Sequence, residues 1–137
     1  MHITIERELD LRLVLSGERS IPVPARLRYH AEDPYAVHVS FHINSESPVD
    51  WAFARELLIE GLTRPSGQGD VRLWPGTARG CHVLCLALQS PDGEALLHAP
   101  VEPVAAWLRR TLRLVPPGAE AHRLRVADDL GDVTGTP

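Results

Sequence analysis

Tyr35-Ala36-Val37-His38-Val39-Ser40-Phe41-His42-Ile43 decides the fold class of this 137-residue chain. Tyr35, Val37, Val39, Phe41 and Ile43 share one parity, while Ala36, His38, Ser40 and His42 share the other. A two-residue period of this kind describes a strand with one buried and one wet face. Upstream, Ile3, Ile5, Leu9, Leu11, Leu13 and Leu15 fall on one parity, and Glu6, Glu8, Asp10 and Arg12 on the other. Arg7 breaks that apolar set, so the first residues are expected to pair only at an edge. Ser16-Gly17-Glu18-Arg19-Ser20 is a turn cluster. Val23, Ala25, Leu27 and Tyr29 begin another strand. Pro22 and Pro24 lack N–H groups and point to a sheet edge or a strand entrance.

Downstream of the polar turn at 44–48, Val49, Trp51 and Phe53 give a fourth strand. The pattern then changes. Leu57, Leu58 and Leu62 lie at helical spacing, which predicts a short helix over 54–62 with Gly61 near its end. Val71-Arg72-Leu73-Trp74 resumes strand, with Pro75-Gly76 expected to stop it. From Cys81 to Leu88 both parities are apolar, so this strand should be covered on both sides, by helix, second sheet or partner chain. Ser90-Pro91-Asp92-Gly93 has turn chemistry and leads into a strand over 94–98. Val104, Trp107, Leu108, Thr111, Leu112 and Val115 form one helical stripe over about 103–114, stopped by Pro116-Pro117-Gly118. Leu124 to Leu130 is read as a short terminal element. The expected fold is α+β in the order ββββαβββα, with two small antiparallel sheets and packed helices. Residues 1–118 form one domain, and 119–137 a partly flexible extension.

Composition narrows the function. The chain is 44% hydrophobic, enough for one core, and carries a formal net charge of -4. Neutralising phosphates takes clustered cations, so the balance opposes a general nucleic-acid binder. All 14 Lys-plus-Arg positions are Arg. Codon bias accounts for that, although forked guanidinium donors also suit pairing with carboxylates. No apolar run approaches the ~18–20 residues of a membrane span, and the N-terminus lacks the blocks of a signal peptide. A reduced, cytoplasmic protein with no direct membrane insertion is expected.

Reactive constellations are sought and not found. His38 and His42 project from strand positions about 13 Å apart, too far to share an ion. Cys81, His82 and Cys85 lack the tight turn of a zinc site, and the strand pattern predicts a buried, inert thiol pair. Ser66-Gly67-Gln68-Gly69-Asp70 leads into a strand rather than a helix, so it reads as a connector and not as a phosphate loop. Asp128-Asp129 and Glu6/Glu8 are surface carboxylates without an acid–base partner. The expectation is no catalytic residue, no metal and no cofactor.

Five ordered stretches carry a family resemblance: Pro22-Val23-Pro24-Ala25-Arg26-Leu27-Arg28-Tyr29, Asp33-Pro34-Tyr35-Ala36-Val37-His38-Val39-Ser40-Phe41, Trp51-Ala52-Phe53-Ala54-Arg55-Glu56-Leu57-Leu58 with Glu60-Gly61-Leu62, Gly67-Gln68-Gly69-Asp70-Val71-Arg72-Leu73-Trp74-Pro75, and Ser90-Pro91-Asp92-Gly93-Glu94-Ala95-Leu96-Leu97. In this order they resemble the SsgA-like sporulation and cell-division proteins of morphologically complex actinobacteria, over roughly residues 9 to 117. The resemblance implies a non-enzymatic cytoplasmic adaptor acting at the division septum. The expected type is the one that recruits the tubulin-like protein FtsZ. It also implies a fold similar to the whirly-type single-stranded nucleic-acid proteins, assembly as a homotrimer, and partnership with other division or SsgA-like proteins. Single-stranded nucleic-acid binding is the competing reading, and it needs a basic groove and stacking aromatics. An enzymatic role would need a deep polar pocket holding His38 or His82 with a carboxylate. The protein-binding candidates are Arg55, Glu56 and Glu60 on the polar side of the short helix, Arg64 after it, and Trp74 at a strand end.

Overall fold

A computed structural model describes residues 2–42, 47–91 and 93–124. Its elements follow the expected order: β1 (Thr4–Ser16), β2 (Arg19–His30), β3 (Ala36–Phe41), β4 (Val49–Ala54), α1 (Arg55–Gly61), β5 (Val71–Ala78), β6 (Cys81–Ser90), β7 (Gly93–Pro100) and α2 (Val101–Leu114). The strands form one antiparallel sheet in the order β4-β3-β2-β1-β7-β6-β5. The two small sheets expected from the sequence are therefore a single seven-stranded one. The two halves meet at a seam of only two residue pairs, Arg12 with His98 and Leu13 with Leu97. A join that short leaves no local trace in the sequence. Ile43 and the terminal element expected from Leu124 onward lie, apart from Leu124 itself, outside the described residues, as does Asp92 of the Ser90–Gly93 turn.

Two proline positions need a different account from the one expected. β2 is an internal strand, yet it pairs with β3 only from Ala25 to Arg28. Pro22 and Pro24 precede that stretch and turn their missing N–H groups to the β3 side rather than into the β1 ladder; there the Pro24 carbonyl still accepts from the His42 amide at 3.2 Å. Pro75-Gly76 does not stop β5, which runs on to Ala78. β5 is the outermost strand of its half, where a proline's missing N–H can face away from the ladder.

One face of the sheet holds the core. Leu11, Leu27, Val37, Val39, Leu84, Leu86 and Leu97 pack there against Val104, Trp107, Leu108 and Thr111 of α2. The α2 stripe is thus buried as its periodicity requires. The first part of β1 has no β7 partner, and α2 is tied to it by the fully buried Trp107, whose indole donates to the Ile5 carbonyl at 3.0 Å. β6 is not covered on its second face by another sheet. Cys85 is nonetheless 5% exposed, with Val83 and Ala87 half-buried around it. Cys81 is exposed beside the β5–β6 hairpin tip, so the thiols are not the buried pair expected.

α1 is seated on β5 through a glycine. A Cβ on Gly61 would lie 2.6 Å from Leu73 Cβ and 3.3 Å from Ser66 Oγ. Leu73 Cβ is fixed to its backbone and cannot swing away. Gly61→Ala is expected to push α1 off the sheet and destabilise by about 1–3 kcal/mol. That outweighs the gain of up to ~1 kcal/mol in helix propensity, and a lowered urea midpoint is the check.

Candidate functional site

The five candidate residues do not form one surface. Arg55, expected on the polar side of α1, is 1% exposed. Its Nη1 donates to the Thr111 carbonyl at 3.0 Å and its Nη2 to Glu120 Oε2 at 2.9 Å. The guanidinium also lies 5.0 Å from the Tyr29 ring centroid. Arg55 opens α1 directly after β4, and its amide is held by the Tyr35 carbonyl at 2.7 Å, so its side chain turns inward rather than to solvent. It ties β2, α1, α2 and the segment after α2 together.

Glu120 belongs to that tie although it falls in the segment expected to be an extension. It is 8% exposed, and its Oε1 accepts from the Gly118 amide at 2.8 Å. Burial alone would raise this carboxyl. The nearby amides and Arg55 overcome burial and hold it below the usual glutamate range. Burial also pushes the Tyr29 phenol up to about 12, and its hydroxyl donates to the Pro34 carbonyl at 2.8 Å.

Glu56 is exposed, and Arg64 pairs with Glu60 at 3.2 Å in an open i,i+4 bridge. Such a bridge contributes at most a few tenths of a kcal/mol, so these groups remain available to a partner. Trp74 lies elsewhere. Its neighbour Leu73 faces the core and α1, which places Trp74 on the opposite, outer face of the sheet. There it lines a groove of about 330 Å³ with Val14, Arg72, Ala87 and Leu96.

Two further concavities were not signalled by the sequence. The larger, about 600 Å³, lies on the outer face of the β1–β4 half and includes Glu8, Asp10, Arg26, Arg28, Ser40, His42 and Asp50. Two ion pairs line it: Arg26 pairs with Glu8, and Arg28 approaches Asp50 at 3.6 Å. The smaller, about 340 Å³, lies between the β1–β2 and β5–β6 hairpin tips and is lined by Val14, Glu18, Arg19, Ser20, Arg79 and His98, among others. Burial lowers the His98 imidazole and raises the Cys85 thiol, which keeps both neutral near pH 7. His38 Nε2 lies 3.4 Å from Asp33 Oδ2 on a part-exposed surface, with the His30 ring edge-on at 5.2 Å. No group of three or more potential metal ligands occurs among the described residues. No helix among them is long and apolar enough to cross a membrane.

The model of the Streptomyces sporulation and cell division protein SsgA matches residues 23–120, most of the sheet and both helices. The chain belongs to the SsgA family. Among its relatives, the sporulation-specific cell division protein SsgB of Streptomyces coelicolor is 52% identical over 133 residues, covering 97% of each chain. A solved SsgB structure, described with mutations that correlate to longitudinal cell division during sporulation of Streptomyces coelicolor, aligns with a TM-score of 0.87 at 55% identity. It covers 90% of this chain and 97% of that one. The SsgA-like sporulation-specific cell division protein of Thermobifida fusca aligns with a TM-score of 0.86 at 39% identity, over 95% of both chains. The family blocks read from the sequence thus lie on the elements that the SsgA family shares.

Proposed function

We propose that this chain is a non-enzymatic adaptor of sporulation-specific cell division that helps to localise FtsZ and the septum. The observation that carries the reading is 52% identity, over 97% of both chains, to a protein named for sporulation-specific division. The surface is consistent with it: in the larger concavity Arg26 pairs with Glu8 and Arg28 approaches Asp50, an arrangement of surface ions. On this reading the protein acts at the division septum, in the cytoplasm, as a homo-oligomer of three copies, together with FtsZ and other SsgA-like proteins. Single-stranded nucleic-acid binding, which a whirly-like relationship would allow, ranks below it because the net charge of -4 opposes phosphate.

Co-sedimentation with FtsZ polymers tests the proposal. The purified chain is expected to pellet with polymers and to stay in the supernatant when FtsZ is left unassembled. Light scattering on the same sample is expected to give the mass of three chains. A monomer that never pellets would remove the reading.

A further inference from the structure

The cleft between the β1–β2 and β5–β6 hairpin tips brings together cations that lack a counter-ion. Arg12 Nε donates to Ser20 Oγ at 2.9 Å, and Arg12 Nη2 to the Ser20 carbonyl at 2.9 Å. Arg79 Nη2 donates to the same hydroxyl at 3.3 Å, from 59 positions away in sequence. Arg19 lines the cleft beside them. Among the described residues none of these three arginines has a carboxylate within ion-pair distance. Two guanidiniums aimed at one hydroxyl repel each other, and an oxyanion seated there would relieve that repulsion and accept from both.

The backbone supports the same conclusion. Arg79 adopts φ 54 and Gly80 φ 74, left-handed values that tight hairpins ordinarily fill with Asn, Asp or Gly. An arginine at that tip carries a conformational cost and projects its charge across to the other hairpin. Strain of this kind gathers at places that bind.

The cleft does not stand alone. Val14 also lines the outer-face groove that holds Trp74, Ala87 and Leu96, where Arg72 and Glu94 both stand and Arg72 has no ion pair among the described residues. A cleft with more arginines than carboxylates (Glu18 lines it too) thus opens onto a mixed groove in which a half-buried tryptophan, Val14, Ala87 and Leu96 stand beside Arg72 and Glu94. We infer that this face docks an extended acidic peptide segment of a partner protein, one carboxylate held by Arg12 and Arg79 and an apolar side chain laid on Trp74. Nucleic acid fits less well, because a single carboxylate needs only the Arg12–Arg79 pair, whereas a run of phosphates along the groove would meet Glu94 on a chain of net charge -4. This inference deepens the adaptor reading and rests on it only for the existence of a protein partner.

The experiment uses the full chain and a fluorescein-labelled short peptide alternating glutamate and leucine, followed by anisotropy at low salt. A lysine-for-glutamate peptide, a single-stranded oligonucleotide and inorganic phosphate serve as comparators. The acidic peptide is expected to bind at least about tenfold tighter than the lysine peptide, and to weaken as salt rises. Arg79→Gly suits the hairpin backbone, so it is expected to fold with an unchanged or higher Tm while weakening the peptide about 3- to 10-fold. Arg19→Gln, at an exposed position, is expected to weaken it in the same direction without touching the core. Equal binding of the lysine peptide, or unchanged affinity in both variants, would overturn the inference. So would an oligonucleotide that binds as tightly, or displacement by submillimolar phosphate. Because the peptides are synthetic, wild-type protein that fails to pellet with FtsZ leaves this result standing. Variants that lose the peptide but still pellet with FtsZ separate the two in the other direction.

Discussion

Arg55→Ala is expected to destabilise the fold by about 3–5 kcal/mol, far more than its place at the start of a surface helix would suggest. The substitution strips the Thr111 carbonyl and the Glu120 carboxylate of a donor and empties the space over Tyr29. Arg55→Lys keeps the charge but has no fork to reach both acceptors, so it should recover only part of the loss. Urea denaturation measures both. Its pH dependence supplies a second reading, and the sign follows from Glu120. That carboxyl titrates lower in the folded protein than the ordinary value of 4.5, so its contribution is complete above that value. It is lost as the pH falls through the depressed folded pKa. The wild-type protein should therefore lose stability on acidification below about pH 4.5, and that acid loss should shrink in Arg55→Ala. An exposed position would show neither the cost nor the pH dependence.

Trp107→Ala should be comparably severe, at about 3–5 kcal/mol. Trp107 is fully buried, and it sits where α2 crosses the part of β1 that has no strand on its second side. Two losses combine: the cavity left by an indole, and one of the hydrogen bonds to the Ile5 carbonyl, which also faces Tyr29 in the β1–β2 ladder. Trp107→Phe separates them. It keeps most of the apolar volume and forfeits the indole hydrogen bond while the Ile5 carbonyl keeps its place in the β1–β2 ladder, so about 0.5–1.5 kcal/mol is expected. Equal effects of the two variants would show that the hydrogen bond, and not the volume, carries the contribution of this residue.

The order of elements was legible because it is written in local periodicity. The alternation from Tyr35 and the stripe from Val104 to Val115 each report one buried face; Val37, Val39 and Phe41 are buried as read, while Tyr35, ahead of the strand, is 50% exposed. What was not legible depends on contacts far apart in sequence. Nothing near Arg12 announces His98 as its neighbour, so one sheet read as two. Nothing near Arg55 announces Glu120, 65 positions away, so a core guanidinium read as a polar helix face. Pro75-Gly76 read as a stop because a pattern rule does not know which strand will be outermost. Of the candidate residues, Glu56, Glu60, Arg64 and Trp74 were visible from composition and position. Arg79 was not, since its only local sign is the glycine that follows it and its meaning comes from Ser20 on another hairpin.

The indole–carbonyl contact between positions 5 and 107 also bears on how the molecule comes into being. A ribosome emits the opening strand about 100 residues before the helix that shields it, a lag of roughly 5–20 s at ordinary elongation rates. Throughout that interval the leading hairpin has an unguarded flank, and the guanidinium at 55 has no carboxylate to meet. Completion therefore waits on the last part of the nascent chain, so a truncated translation product ending before Glu120 would emerge as an open sheet prone to sticking to its neighbours.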